Sequence, residues 1–214
     1  VRRPAMGRFK HEACAADPDR KVIYLTEDVT DGCFYRFIPN TWGDLSAGRL
    51  EVMVGSTSAT SGPVTWALVP DPDGSPSTRG QVSGAKRFNG GEGCYYAAGV
   101  CWFTTKGDNR VWAYDAVNQR IDLAYDDSLV SGTATLTGVD NITGSDSGDL
   151  FVAEDPPPAA SPTRSAARSA EATFQRFSGV EVAVCPMLFR LFELPRCPSW
   201  SMPLLPRPHP SAAG

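Results

Sequence analysis

No uninterrupted apolar run in the 214-residue chain approaches the ~18 residues that a membrane-crossing helix needs, so no membrane span is expected. No stretch of residues 1–155 keeps a 3.6-residue apolar period over three turns, which argues against a helical fold. Positive charge is scarce. The net charge is −4, no basic stripe forms and no aromatic residues are set among Lys and Arg, so a nucleic-acid partner is not expected. Histidine is limited to His11 and His209, and none of the six cysteines (Cys14, Cys33, Cys94, Cys101, Cys185, Cys197) makes a CxxC pair, which argues against zinc. The cysteines read as small buried hydrophobes, with an export-compartment disulfide left open by their spacing. The opening VRRPAMGRFKHE has no apolar h-region, so no signal peptide is visible.

What is present divides near residue 155. Residues 1–155 hold 14 Lys+Arg against 21 Asp+Glu, whereas 156–214 hold 6 against 3. All 16 Asp, all four Lys and all six Tyr fall in the first part, and 11 of the 18 Pro in the second, so the composition marks a boundary between a module at 1–155 and a low-complexity tail at 156–214. The tail reads as irregular and disordered. Its proline density argues against central strands, and Leu188 to Leu194 is the one stretch there that could form a short helix.

The first part reads as short strands. Val22 to Leu25, Cys33 to Ile38, Leu50 to Val54, Val64 to Val69, Tyr95-Tyr96, Val100 to Thr104, Val111 to Tyr114 and Leu150 to Val152 are brief runs rich in β-branched and aromatic residues. Turn-formers such as Asp31-Gly32, Asp71-Pro72-Asp73-Gly74 and Lys106-Gly107-Asp108-Asn109 separate them. The fold class is all-β.

These strands repeat as units of an acid, a turn, an apolar strand ending in polar or acidic residues and, in two cases, a second aromatic strand. Glu12, Glu92 and Asp140 open the three units, 80 and 48 residues apart, and the shorter spacing is close to the ~40–50 of a propeller blade. The pattern predicts a partial β-propeller of roughly two to three blades. Only five Glu precede residue 156, and Glu12, Glu27, Glu92 and Glu154 take repeated places in the units, while Glu51 reads as solvated surface. Equivalent places on successive blades converge at one end of a channel, where facing carboxylates repel unless cations neutralise them, and calcium takes six to eight oxygen ligands. The competing reading is that acids at strand ends cap turns in water.

Other constellations are weaker. Asp71-Pro-Asp-Gly and Asp140-Asn-Ile-Thr-Gly-Ser-Asp lack the Gly and Glu positions of an EF-hand loop. Gly90-Gly91-Glu92-Gly93 lacks the strand-to-helix context of a phosphate loop. If Arg8 to Glu12 is a strand, Arg8, Lys10 and Glu12 share a face, for an ion pair or for a phosphate, and His11 points the other way with Phe9.

Gly7-Arg8-Phe9-Lys10-His11-Glu12, Val22-Ile-Tyr-Leu-Thr-Glu27-Asp28 and Gly32-Cys-Phe-Tyr-Arg-Phe-Ile-Pro39 resemble the PhoX-type alkaline phosphatases. Phe88-Asn-Gly-Gly-Glu92-Gly93, Val111-Trp-Ala-Tyr-Asp115, Val139-Asp-Asn-Ile142 and Asp149-Leu-Phe-Val-Ala-Glu-Asp155 continue the resemblance in order, over about residues 5–155. It implies a secreted β-propeller, periplasmic or extracellular, that hydrolyses small phosphate monoesters on a calcium and iron cluster. It further implies Glu12, Glu27, Glu92 and Glu154 as metal ligands, with Asp28, Asp140 and Asp155 beside them. No catalytic residue beyond the ligands is assigned, and neither is an oligomeric state.

The departures set further expectations. The family's upstream segment, with its export signal and a Thr-Cys-Glu-Glu motif, has no counterpart, and the sequence after Asp155 reads like a frameshifted or truncated frame. The chain is therefore expected to be a weakly active or inactive fragment. A calcium-dependent lactonase-like propeller, using Asp140 and Asn141, and a non-catalytic binding propeller are the alternatives.

Overall fold

Brief runs of Val, Ile, Phe, Tyr and Trp between Gly, Asp and Pro turns leave no length for a helix to nucleate, and the computed structural model is accordingly a set of strands with a few single 3-10 turns. It describes residues 1–129, 136, 138–145 and 148–155, and the backbone of 173–177 and 180–186.

Three sheets follow one another. The first has the order β1 (His11–Asp17), β2 (Val22–Glu27), β3 (Phe34–Thr41), β4 (Asp44–Val54) and β6 (Thr65–Leu68), all antiparallel. The intervening β5 (Ser61–Pro63) crosses to the second sheet and pairs with β10 (Arg120–Asp126), followed by β9 (Arg110–Asp115), β8 (Val100–Thr105) and β7 (Gly91–Ala97). In the third, β11 (Val139–Gly144) pairs with β12 (Leu150–Glu154), β12 runs parallel to β14 (Val180–Pro186), and β13 (Thr173–Phe177) closes the edge.

The expected strands are all present, most with longer bounds, although the run from Val64 to Val69 is trimmed to Thr65–Leu68 and the run from Cys33 begins at Phe34, and the all-β class holds. The tail beyond 155 lies outside the described residues except for β13 and β14, and so does the stretch 188–194. Against the expectation from proline density, β14 takes a central place. Its Val-Glu-Val-Ala-Val-Cys run alternates β-branched residues, and its one proline is the last residue, where the missing N–H interrupts little of the ladder.

Side-chain alternation decides which sheets meet. Even-numbered Val22 and Tyr24 of β2, with Phe34 and Met53, face the second sheet's Cys101, Phe103, Trp112 and Tyr114. Phe34 and Phe103 stack at 4.2 Å, Tyr114 meets Tyr24 edge-on at 5.6 Å, and Trp66 Nε1 donates to the Tyr114 hydroxyl at 2.9 Å. The opposite face of the second sheet, with Val111 and Tyr125, packs on Val139, Ile142, Leu150 and Val152 of the third. The outer face of the first sheet, with Leu25, Tyr35, Phe37, Leu50 and Val52, is covered by Ala5, Met6 and Phe9. The sheets thus stack face to face in chain order.

Lys86 is buried in this stack. Its ammonium donates to the carbonyls of Ser56 and Ala59 at 2.8 and 2.7 Å, and it lies over the Phe88 and Trp112 rings at 5.4 and 5.2 Å. Burial, with Arg110 nearby, pulls its pKa down to about 8.

Candidate metal centre

The edge strands β1, β7 and β11 lie side by side, with β7 against both others. Each departs from regular pairing at the same place. Register shifts fall between His11 and Cys14, between Gly91 and Cys94, and between Val139 and Ile142. The interrupted segment in each case begins with an acid, Glu12, Glu92 or Asp140, second in its strand. A bulge frees such a residue from the ladder and re-aims its side chain, so the sequence repeat becomes a repeated corner presenting a carboxylate.

The neighbouring strand completes each corner. Glu27, Thr105 and Glu154 end β2, β8 and β12, paired with His11, Gly91 and Val139. The residues that follow, Asp28, Lys106 and Asp155, donate their N–H groups to the carbonyls of Lys10, Gly90 and Gly138 at 2.9, 2.9 and 2.7 Å. One residue before each strand end, Thr26 and Thr104 reach across to the next sheet. Thr26 Oγ1 donates to the Glu92 carbonyl at 2.5 Å, and Thr104 Oγ1 donates to the Asp140 carbonyl. A Cβ on Gly93 would lie 2.5 Å from the Ile142 nitrogen, so only glycine lets β7 and β11 approach this closely.

A cavity of about 430 Å³ opens here, lined by Lys10, Asp28, Thr30, Asn89, Glu92 and Lys106 among others. Glu92 is only 6% exposed, and its side chain lines the cavity. Burial pushes its pKa up to about 7, with further contributions from Asp140, Asp28 and Glu12, against a lowering pull from Lys106. The two lysines answer part of this charge. Lys10 Nζ is 2.7 Å from Asp28 Oδ2, while Lys106 Nζ is 2.7 Å from Asp155 Oδ2 and 3.6 Å from Asp140 Oδ2. Both lysines hold their protons more tightly than usual, chiefly through these hydrogen bonds.

Of the acids singled out in the sequence, Glu12, Asp28 and Asp140 thus come within electrostatic reach of Glu92, and Asp155 joins them through Lys106. Glu27 is turned away. It shares the odd-numbered face of β2 with Leu25, is fully buried, and accepts from the Tyr35 hydroxyl at 2.8 Å, the Cys33 N–H at 3.1 Å and Arg79 Nη1 at 3.0 Å. Glu154, in the corresponding place on β12, does not line the cavity. In the observed side-chain positions, no three His, Cys, Asp or Glu groups among the described residues are set to hold one ion. Asp28, Asp140 and Asp155 are instead engaged by the ammonium groups of Lys10 and Lys106.

Sequence reading named Lys10 for a phosphate or ion pair, but took Lys106 only as a turn-former and gave Asn89 and Thr30 no role of their own. Lys106 was findable. Aligning Leu-Thr-Glu-Asp28, Phe-Thr-Thr-Lys106 and Val-Ala-Glu-Asp155 puts it where the other units carry Asp. His11 stacks on Phe9 at 3.6 Å, with Nε2 3.0 Å from the Gly7 carbonyl, away from the cavity. The Asp71 segment closes a turn, with the Gly74 N–H on the Asp71 carbonyl at 3.3 Å. Glu51 is not simply solvated, because Arg36 and Arg49 pair with it at 2.6 and 2.9 Å.

Comparison with known proteins finds one family, described as alkaline phosphatase PhoX, whose profile matches residues 1–128. No curated protein and no solved structure matches the chain. The matched segment covers more than half of the sequence and includes the first two acidic corners with Lys10, Asp28, Glu92 and Lys106, and on that match the chain belongs to the PhoX alkaline phosphatase family.

Proposed function

We propose that the chain is part of a metal-dependent phosphomonoesterase, in which Glu12, Asp28, Glu92 and Asp140, with Asp155 at the margin, gather divalent cations in the cavity between the sheets. One observation carries this reading: Glu92, only 6% exposed, lines the cavity with three further acids close enough to raise its pKa. Such an arrangement is unfavourable by itself and is relieved by a cation. The donors are all carboxylate oxygens, the chemistry that suits calcium, while iron rests on the family resemblance alone. Bound ions would polarise the phosphoryl oxygens and lower the pKa of a bound water.

The chain's own residues have separable parts in this proposal. The three bulged corners fix where the carboxylates point, and the Thr26 and Thr104 bonds hold successive sheets in register. Lys10 and Lys106 on the cavity wall neutralise acids until cations replace them, and then face the phosphate oxygens of a small ester. Glu27 is a structural acid rather than a ligand. Glu154 remains a proposed ligand only by its place in the repeat.

The wider architecture belongs to the same proposal. Sheets stacked in chain order, with β1, β7 and β11 together at one edge, support consecutive blades of a β-propeller, with 1–155 as the module and 156–214 as a separate tail. Secretion to the periplasm or beyond follows the family. Weak turnover of this 214-residue chain is also proposed, since two lysines compete for the acids it supplies. The lactonase-like alternative is less well supported, because Asn141 Oδ1 already accepts from the Ile142 N–H at 2.9 Å.

The test is a calcium titration of the purified, chelator-treated chain by thermal shift, with Glu92→Gln and the distant Asp122→Asn in parallel, followed by a chromogenic phosphate-ester assay. Calcium should raise the melting temperature of the wild type and of Asp122→Asn, and much less that of Glu92→Gln. Equal shifts in all three proteins would sink the proposed site.

A further inference from the structure

Just beyond the Glu92 bulge, β7 and β8 form a hairpin whose two-residue turn, Ala98-Gly99, has φ of +48° and +84°, the left-handed pair that matches the twist of the flanking strands. Cys94 pairs across this hairpin with Phe103, and Cys101 with Tyr96, so the two cysteines are diagonal neighbours on one face of the sheet. Their Sγ atoms are 3.3 Å apart, about 1.3 Å more than the ~2.05 Å of a disulfide. Cys101 is fully buried and Cys94 half-buried. Two other described cysteines differ in setting: Cys14 is exposed on the adjacent β1, and Cys33 lies in the core on the far side of the first sheet.

We propose that Cys94 and Cys101 are a disulfide-forming pair, closed by exchange with a small-molecule or protein disulfide, and that the bond fastens the hairpin beside the bulge that carries Glu92. The order of steps follows from access. The Cys94 thiolate attacks the oxidant's S–S bond, forming a mixed disulfide and expelling one thiolate. The Cys101 sulfur, deprotonated in the approach, then attacks the Cys94 sulfur and expels the second. The two thiol protons and two electrons end on the oxidant, which leaves as two thiols. The turn fixes both strands, and the sulfurs already lie 3.3 Å apart. The consequence for the cavity is mechanical: Cys94 marks the end of the register shift that begins at Gly91, so a bond at Cys94 restrains the segment holding Glu92.

The experiment uses the whole chain, reduced, freed of reductant and exposed to oxidised glutathione, then analysed by intact mass and non-reducing peptide mapping. Wild type and Cys14→Ser should each yield a cross-linked peptide joining Cys94 to Cys101, which Cys94→Ser and Cys101→Ser abolish. The oxidised wild type should melt several degrees above the reduced form. Cys94 joined to any other cysteine, glutathione retained on Cys94, or both thiols left free to alkylation would overturn the proposal. Mapping of the wild type decides the matter even if a serine variant fails to fold.

Discussion

Replacing Glu92 by Gln should stabilise the metal-free protein at alkaline pH, the reverse of what removing a buried polar group ordinarily does. Burial is the largest cause of the raised Glu92 pKa, followed by Asp140, Asp28 and Glu12, and the value reaches about 7 from an ordinary 4.5. A carboxyl that holds its proton more tightly when folded favours the fold fully below pH 4.5. That contribution fades as the pH rises and is gone once the pH has passed the folded value near 7. At about 1.36 kcal/mol per unit, the change amounts to about 3 kcal/mol between acid and pH 8. Glutamine keeps the shape and avoids the charge. Any pH-independent cost of the amide cancels when the difference between variant and wild type at pH 8 is compared with that at pH 5, leaving about 2 kcal/mol. The assay is urea unfolding of both proteins in excess chelator at the two pH values. A difference that does not change between pH 5 and pH 8, or a variant that loses ground as the pH rises, would refute the burial and repulsion argument. Calcium supplies a second arm at pH 8. It should erase the variant's advantage, because the ion relieves in the wild type the repulsion that glutamine removes.

Three further outcomes follow from the same geometry. Glu27→Ala should cost about 3–5 kcal/mol, because it strips a fully buried acid from Arg79, Tyr35 and the Cys33 N–H; thermal melting should find the loss, while any calcium-induced shift of the folded fraction persists. Thr104→Val should cost about 1–3 kcal/mol in chemical denaturation, since it leaves the Asp140 carbonyl without its donor from the second sheet, and Thr26→Val should behave alike for the Glu92 carbonyl. Lys106→Met should tighten calcium binding severalfold in isothermal titration, because the ammonium no longer competes for Asp155 and Asp140.

The fold class was legible because its signal is local. Tyr24, Phe34, Phe103 and Trp112 announce strands wherever they stand, and Gly and Asp turns break the chain between them. Strand β10 escaped, although Ile121, Leu123 and Tyr125 alternate cleanly, because Asp122 and Asp126 disguise the run as a turn-rich stretch. The acids were legible as a repeated set but not as two classes. Glu12, Glu92 and Asp140 sit in bulges of edge strands, whereas Glu27 and Glu154 end the neighbouring strands, and only pairing register separates them. Parity then sends Glu27 to the face of Leu25 and Tyr35, where Arg79, 52 residues away in sequence, meets it. No local pattern carries that encounter.

The distribution of charge at the three corners bears on why the proposed site would take a cation rather than neutralise itself. Asp28 and Asp155 follow their strands in the first and third sheets, and Lys106 takes the same place in the second. Five carboxylates therefore share one end of the sheet stack with two ammonium groups, which leaves three negative charges uncompensated when Glu92 is ionised. Protonating Glu92 removes one of them, and that is the state toward which its raised pKa leans. A bound calcium ion would remove two and leave Glu92 charged, so binding should strengthen as the pH rises through 7 and level off above it, where the proton no longer competes. The same burial that makes the empty site unfavourable at alkaline pH would make it a better cation site there than in acid.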